Sequence, residues 1–383
     1  MKKASIVLGL QFGDEGKGRT VDYLIKEEIR KNEEKALKIK YLNQIVVRFS
    51  GGQQAGHTVV IGDKRHVFST YGSGTLRGVP TFISKYCTFY LNAMLNEKAV
   101  LLTKIPEDRI KLIVDPLTML TTPFDVMHNR ISEKIRKHGT CGMGVGATMI
   151  RNIKSQYKLY AIDLLNLSVL TEKLINIQKY YENLPSRIFL TKEEEDFSRE
   201  QKEICDKELE KFLWIAEHWR DYFTISNNIG NYEHFIFEGS QGIMLDMDHG
   251  IFPNVTYANT TSKNALEICK ELRIDNEHIT TYYVTRTYKT RHGNGWYGHE
   301  IPVEVKNNEN ETNVTNPWQG EFKVAKIDPE LIDYAYKVDQ IYNRSKHNLM
   351  ITCADQVGYD YSLNKTSVFT EAEHVVVFTE DSN

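Results

Sequence analysis

The sequence predicts an α/β fold: one large domain with a mostly parallel central sheet, flanking helices and a helical insertion. Three observations predict it. Short, unbroken apolar runs recur along the chain, as in strands buried on both faces. Several of them lead directly into glycine-rich turns or helical periodicity, the alternation of α/β folds. A charged, helix-favouring stretch then interrupts that alternation from about Asp163 to Tyr232.

The first element is Ala4–Leu10 (ASIVLGL), a buried strand that runs into Gly13-Asp14-Glu15-Gly16-Lys17-Gly18. Val21, Leu24, Ile25 and Ile29 then recur at helical spacing until the polar KNEEK stretch ends the helix. Further strands are expected at Ile45–Phe49, Lys111–Val114, His234–Phe237, Ile279–Val284, Asn348–Cys353 and His374–Phe378. Within 163–232, isoleucine, leucine and tryptophan return every three or four residues through TKEEEDFSREQKEICDKELEKFLWIAEHW, which marks helix rather than linker. The segment 306–316 (KNNENETNVTN) reads as a polar loop anchored only by Val314. No internal repeat is visible, and residues 1–383 read as a single domain.

Composition narrows the class. A chain of 383 residues with 41% hydrophobic and 26% charged residues has ample material for a large core. The 48 basic and 51 acidic residues leave a net charge of −3. That excludes a strong field for nucleic acid or an anionic membrane, so phosphate binding must come from a local site. The five cysteines (Cys87, Cys141, Cys205, Cys269, Cys353) are scattered and contain no C-x-x-C pair, so they read as reduced thiols. The apolar run at the start is too short for a signal peptide, and no 18-residue apolar span exists. A soluble, cytoplasmic protein is expected, with neither nucleic acid nor membrane as partner.

Three motifs carry chemistry. In Gly13–Gly18, glycines let the backbone wrap a phosphate at the start of a helix, whose unpaired N–H groups and dipole favour an anion. Lys17 adds a point charge, and Asp14 can bind magnesium or act as a base. This is not a Walker A loop, because Gly18 stands where the magnesium-binding hydroxyl would be. The second motif, Gly51-Gly52-Gln53-Gln54-Ala55-Gly56-His57-Thr58, leaves a strand and ends in a histidine suited to proton traffic near neutral pH. The third runs from Phe237-Glu238-Gly239-Ser240-Gln241-Gly242 through Leu245-Asp246-Met247-Asp248-His249 to Thr256-Tyr257-Ala258-Asn259-Thr260-Thr261. It has the amides and hydroxyls of a pocket wall, and its D-x-D-H order also admits a metal reading.

These three motifs, in this order, resemble those of the adenylosuccinate synthetase family: Q-W-G-D-E-G-K-G, G-G-x-N-A-G-H-T and E-G-A-Q-G-x-x-L-D-x-D-H-G. Phe12, Gln54 and Ser240 are conservative departures. Two further blocks agree: Gly139–Gly146 is similar to G-T-T-G-R-G-I-G, and Lys289–Gly295 to the T-R-V-G-x-G strand end. The resemblance runs from residue 4 to about 356. It implies a P-loop-like synthetase fold and a ligase in which a nucleoside triphosphate phosphorylates the 6-oxygen of a purine monophosphate such as IMP. The amine of L-aspartate then displaces the phosphate.

Carried over position by position, the resemblance implies Asp14, His57 and Lys17 as the catalytic groups. Gly13, Glu15, Gly16, Lys17, Gly18, Gly56, His57, Thr58 and Asp355 would hold the triphosphate. Gln54, Thr140, Cys141, Gln241, Leu245 and Thr256 would hold the purine monophosphate, while Asp14 and the Gly56 carbonyl would bind Mg²⁺. The family's homodimer, in which a basic residue crosses to the neighbouring site, suggests Arg151 or Lys154 for that role.

Departures are concentrated in two places. The family's arginine-rich amino-acid loop is Thr315-Asn316-Pro317-Trp318-Gln319-Gly320-Glu321-Phe322-Lys323 here, and Met143 replaces a further arginine. Lys323 with Arg291, or alternatively Lys289, are then the candidates for the amino acid's carboxylates. The guanine-reading T-K-x-D is Thr352-Cys353-Ala354-Asp355, the region after Asp355 is shortened, and Phe378-Thr379-Glu380-Asp381 stands near the place of a further loop. The donor is therefore GTP or ATP/dATP. These departures are similar to the viral branch that uses dGMP, although retained Asp14 favours an inosinate-type substrate. A non-catalytic nucleotide-binding protein on the same scaffold is the reading from another class.

Overall fold

In the computed structural model, nine strands among the described residues form one sheet in which every neighbouring pair is parallel. The structure describes residues 1–34, 43–136, 139–184, 191–306 and 321–379. Most of the loop 306–316, residues 315–320 of the expected amino-acid segment, and Glu380-Asp381 lie outside the described residues.

The strands are β1 (Lys3–Gly9), β2 (Gln44–Arg48), β3 (Thr81–Ile83), β4 (Leu112–Val114), β5 (Thr224–Ile225), β6 (His234–Gly242), β7 (Ile279–Arg286), β8 (Lys346–Thr352) and β9 (His374–Val377). Their order across the sheet is β9-β8-β7-β1-β6-β2-β3-β4-β5. All seven strands expected from apolar runs are present; six end within two residues of the expected bounds, and β6 runs five residues further, to Gly242. β3 (TFI) and β5 (TI) are additional: they hold two adjacent apolar residues and one, too short an apolar run to mark a strand, whereas the equally short β4 is apolar throughout (LIV). β8 stops at Thr352 because Cys353 turns into the left-handed region at φ 55.

Successive residues of a strand face opposite sides of the sheet. On one side Ala4, Ile6, Leu8, Val47, Phe237 and Leu349 pack with Ala265 and Ile268 of α7 (Lys263–Glu271) and Ile332 and Tyr336 of α8 (Pro329–Asp339). On the other, Val7, Val46, Ile236 and Met350 receive Val21, Leu24 and Ile25 of α1 (Lys17–Glu34). Each such aliphatic side chain contributes roughly 1.5–3 kcal/mol on burial.

The intervening helices are α2 (Leu91–Leu102), α3 (Pro123–Arg136), α4 (Val145–Lys154), α5 (Leu167–Glu182) and α6 (Lys192–Glu217). α5 and α6 occupy the charged segment 163–232, as its periodicity implied. Thr191 and Glu194 form a capping box that starts α6. Its apolar stripe (Cys205, Phe212, Ile215, Ala216) is buried in a second core with α2, α3 and α5. The chain then returns through β5 to the sheet edge. Among the described residues, no helix is long and apolar enough to cross a membrane.

Candidate functional site

Parallel strands share a carboxyl edge, where open α/β sheets bind ligands. Here the turns after β1, β2, β6 and β7 line a cavity of about 610 Å³, closed opposite by residues of α3, α4 and α5. Of the expected site residues it gathers Gly13, Asp14, Gly16, Lys17, Gly18, Gln54, Gly56, His57, Thr58, Thr140, Cys141, Gln241, Leu245, Thr256 and Arg291. Glu15, Lys323 and Asp355 are not among its lining residues.

The turn after β1 is braced from inside. Glu15, expected as a phosphate ligand, is buried, and its Oε1 accepts the backbone N–H of Gln11 (3.1 Å) and Gly13 (2.8 Å). Its Oε2 holds Lys17 Nζ at 2.5 Å. The carboxylate therefore shapes the loop. Gly16 has φ +95, and a Cβ there would press on Thr352, so glycine is needed at the turn into α1. The α1 N-terminus, with Lys17 as its first residue, faces the cavity, which favours an anion.

His57 begins a hairpin strand (His57–Ile61) that follows the turn after β2. Its Nδ1 lies 2.8 Å from Oε1 of Glu238, on β6. Glu238 is fully buried and also accepts the backbone N–H of Ser73 (3.1 Å) and its hydroxyl. Burial alone would raise the pKa of Glu238, but His57, Arg48 and Ser73 overcome it and hold the carboxyl at about 2. Burial pushes the His57 pKa down, against the pull of Glu238. A carboxylate accepts only, so neutral His57 carries its proton on Nδ1 and leaves Nε2 for a ligand.

Asp14 stands in the left-handed region at φ 62, with Oδ2 3.2 Å from Nε2 of His292. Burial would raise its pKa, yet His292, Arg286 and Lys17 prevail and lower it, so the carboxylate is ionised. Arg286 and His292 both line the cavity.

Two carboxamides enter from neighbouring strand ends. Both polar atoms of the Gln54 amide, and Oε1 of Gln241, are buried without a hydrogen-bond partner. Such atoms carry a desolvation cost of about 1–3 kcal/mol that a polar ligand would relieve. Across the cavity, Glu133 accepts the N–H groups of Gly139 and Thr140, and Asn129 Nδ2 donates to Thr140 Oγ1 at 3.0 Å. Gln53 Nε2 donates to the Met143 carbonyl at 2.9 Å. The 139–144 turn is thus fixed at the cavity mouth.

Several candidates take other places. Arg291, though it lines the cavity, donates to the carbonyls of Asn254, Asn294 and Trp296 and lies 4.6 Å over the Phe12 ring. Its guanidinium is committed to shaping the wall. Lys323 lies over Tyr297 at 5.4 Å, as does buried Lys289 at 5.2 Å. Asp355 is exposed and accepts from Gln356. Arg151 is fully buried, bonded to Asp125 and to the Leu120 and Tyr157 carbonyls, so it has no reach to a neighbouring subunit; Lys154 is exposed beside Tyr257. In the D-x-D-H run, Asp246 accepts backbone N–H groups from Asp248, His249, Thr260 and Thr261. Among the described residues no group of three or more His, Cys, Asp or Glu could hold a metal. The motif is a loop organiser.

An all-protein metal cage is therefore absent among the described residues. Asp14, an ionised carboxylate, and Gly56 both line the cavity, a donor set that fits Mg²⁺, which binds through one or two carboxylates plus substrate phosphates. Sequence reasoning gave no role to Glu238, Ser73, Arg286 or His292. The available signal was position: an acid in the apolar strand FIFEG and an arginine at the carboxyl end of β7 face the site by topology.

The family model for adenylosuccinate synthetase matches residues 6–317. The adenylosuccinate synthetase of Saccharophagus degradans is 32% identical over 310 residues, covering 80% of this chain and 67% of that protein. That of Finegoldia magna is 29% identical over 372 residues, covering 94% and 80%. The solved, fully ligated adenylosuccinate synthetase of Plasmodium falciparum superposes with a TM-score of 0.59 at 19% identity, over 93% of this chain and 77% of that one. The cyanophage S-2L succinoaminodeoxyadenylate synthetase, bound to dGMP and to dATP as energy donor, also gives 0.59, at 14% identity over 98% and 92%.

Proposed function

Because this chain belongs to the adenylosuccinate synthetase family of carbon–nitrogen ligases, we propose that it joins the amine of L-aspartate to carbon 6 of an inosinate-type purine monophosphate at the expense of a nucleoside triphosphate. The single observation that carries this reading is that Asp14, Lys17 and His57, from two separate glycine turns, line one cavity.

A purine 6-oxygen is a poor leaving group until phosphorylated. Asp14, held ionised, accepts the N1 proton, and the electron pair shifts toward the 6-oxygen, which attacks the γ-phosphorus as the diphosphate leaves. Lys17 and the α1 N-terminus offset the moving negative charge. His57 binds through Nε2; a polyphosphate there favours its protonation, and Glu238 stabilises the resulting imidazolium. The amine then attacks carbon 6 and phosphate departs. Asp14 and the Gly56 carbonyl would hold Mg²⁺, which, when bound, neutralises phosphate charge. Gln54 and Gln241, with Thr140, Cys141, Leu245 and Thr256, hold the monophosphate.

Asp355 lies outside the cavity lining, so this reading keeps GTP and ATP/dATP as donors. Arg291 is committed to wall carbonyls and Lys323 lies outside the cavity lining, so this reading assigns the amino acid's carboxylates to neither. A homodimer is the expected assembly, with Lys154 the remaining candidate to reach the neighbouring site.

A second reading, a dGMP-using synthetase of viral type, rests on the departures at Met143 and Thr352-Cys353-Ala354-Asp355. Phosphate release from GTP, ATP or dATP should appear on mixing with IMP and require or be stimulated by aspartate. Release with dGMP and not IMP would favour the second reading. Absence of release with either monophosphate would overturn both.

A further inference from the structure

The hairpin strand Tyr288–His292, paired antiparallel with Phe322–Lys326, runs alongside the turn after β1. Gln11 Nε2 donates to the Tyr288 carbonyl at 3.3 Å, and Thr290 Oγ1 donates to the Gly13 carbonyl at 3.5 Å. His292 Nε2 then meets Asp14 Oδ2 at 3.2 Å. Tyr288 meets the loop through its backbone carbonyl, while Thr290 and His292, two residues apart and so on one face of the strand, meet it with their side chains. The last of these contacts is made to the carboxylate assigned to the N1 proton.

Asp14 needs such support. Its backbone occupies the left-handed region, next to Gly13 at φ 113 and near Gly16 at φ 95, a conformation that fixes the loop but leaves side-chain direction open. A carboxylate that must meet one nitrogen of a flat ring has to be aimed. His292 can aim it because it is itself held. Its ring lies against Phe322 on the paired strand, centroids 4.7 Å apart and tilted by 41°, and its side chain is only 16% exposed.

We infer that His292 is the positioning residue for Asp14: its Nε2–H directs the carboxylate into the cavity toward the purine ring. The inference rests on the proposed reaction and deepens it. It also gives the strand pair Tyr288–His292 and Phe322–Lys326 a role, as the support along which the base is aligned.

Two variants separate positioning from packing. His292→Phe keeps a ring against Phe322 and removes the N–H; His292→Gln keeps an N–H donor and removes the ring. A displaced catalytic group costs about 10- to 100-fold in rate. His292→Phe should therefore lose that much in kcat, with KM for both nucleotides within a few fold and the melting temperature unchanged. His292→Gln should recover most of the loss. In the ligand-free protein, the ¹³C-carboxyl NMR signal of Asp14, identified by its loss in Asp14→Asn, should shift in His292→Phe and stay near its wild-type position in His292→Gln. The carboxyl signal tests the contact even if the wild-type chain shows no ligase turnover, a result that counts against the reaction alone. Equal kcat in wild type and His292→Phe, equal losses in both variants, or an Asp14 signal indifferent to His292→Phe each overturns the inference.

Discussion

His57 and Glu238 are 181 residues apart in sequence and 2.8 Å apart in space, imidazole Nδ1 to carboxylate Oε1. The pair fixes which ring nitrogen faces the nucleotide. Substituting Glu238→Gln replaces an obligate acceptor by an amide that can also donate, so the tautomer is no longer set. kcat should fall by roughly 10²- to 10⁴-fold, with the circular dichroism spectrum retained. Turnover within a few fold of wild type would remove Glu238 from the mechanism.

Asp14→Asn and His57→Asn each preserve shape while removing a proton acceptor or a potential cation. Each should reduce phosphate release by on the order of 10²–10⁴-fold with the fold retained, Asp14→Asn at an unchanged melting temperature and His57→Asn at a lower one, because it takes a partner from buried Glu238. Steady-state rates beside thermal melts check both halves of that statement, and activity near wild type denies the residue its role.

Gln54 and Gln241 bring buried amide atoms to the cavity without partners. Gln54→Leu or Gln241→Leu should raise KM for the purine monophosphate about 10-fold, the worth of one good hydrogen bond. The KM for the triphosphate should stay put. Stability should hold or rise slightly, because an unsatisfied polar group is replaced by an apolar one. A rise in both KM values would place these amides outside the monophosphate site.

Acid stability turns on a residue far from the reaction. His234 is buried at the start of β6, with Nε2 2.9 Å from Ser5 Oγ, and burial pushes its pKa down to about 3, helped by Lys3. The unfolded chain protonates near 6.5 while the folded one does not, so this contribution is complete above 6.5 and lost as pH falls toward 3. Between pH 7 and 5 it amounts to about 2 kcal/mol. In His234→Gln the drop in urea-unfolding stability over that interval should shrink by about that amount. An unchanged drop would show His234 to be protonated in the fold.

Much of this was legible in the sequence because buried parallel strands announce themselves as apolar runs. ASIVLGL and the TYYV and NLMIT runs all became sheet strands, and the glycine turns after ASIVLGL and IVVRFS fell at the shared carboxyl edge. What escaped was what depends on partners distant in sequence. Glu15 looks like a ligand in GDEGKG and proves to be an internal brace, since nothing local shows its two backbone N–H partners. Arg291 looked available for a carboxylate, but carbonyls from Asn254 to Trp296 surround it. Asp246 sat in a metal-like string and instead gathers backbone N–H groups. β3 and β5 hold too few adjacent apolar residues to register as strands.

The central claim is that a phosphoryl group passes to the purine's own 6-oxygen between Asp14, Lys17 and His57. Inosinate labelled with oxygen-18 at carbon 6, incubated with triphosphate, Mg²⁺ and aspartate, tests it through the mass of the released phosphate. The label should leave with the phosphate as nitrogen replaces it on the ring. Unlabelled phosphate, with oxygen-18 retained on the purine, would contradict the account.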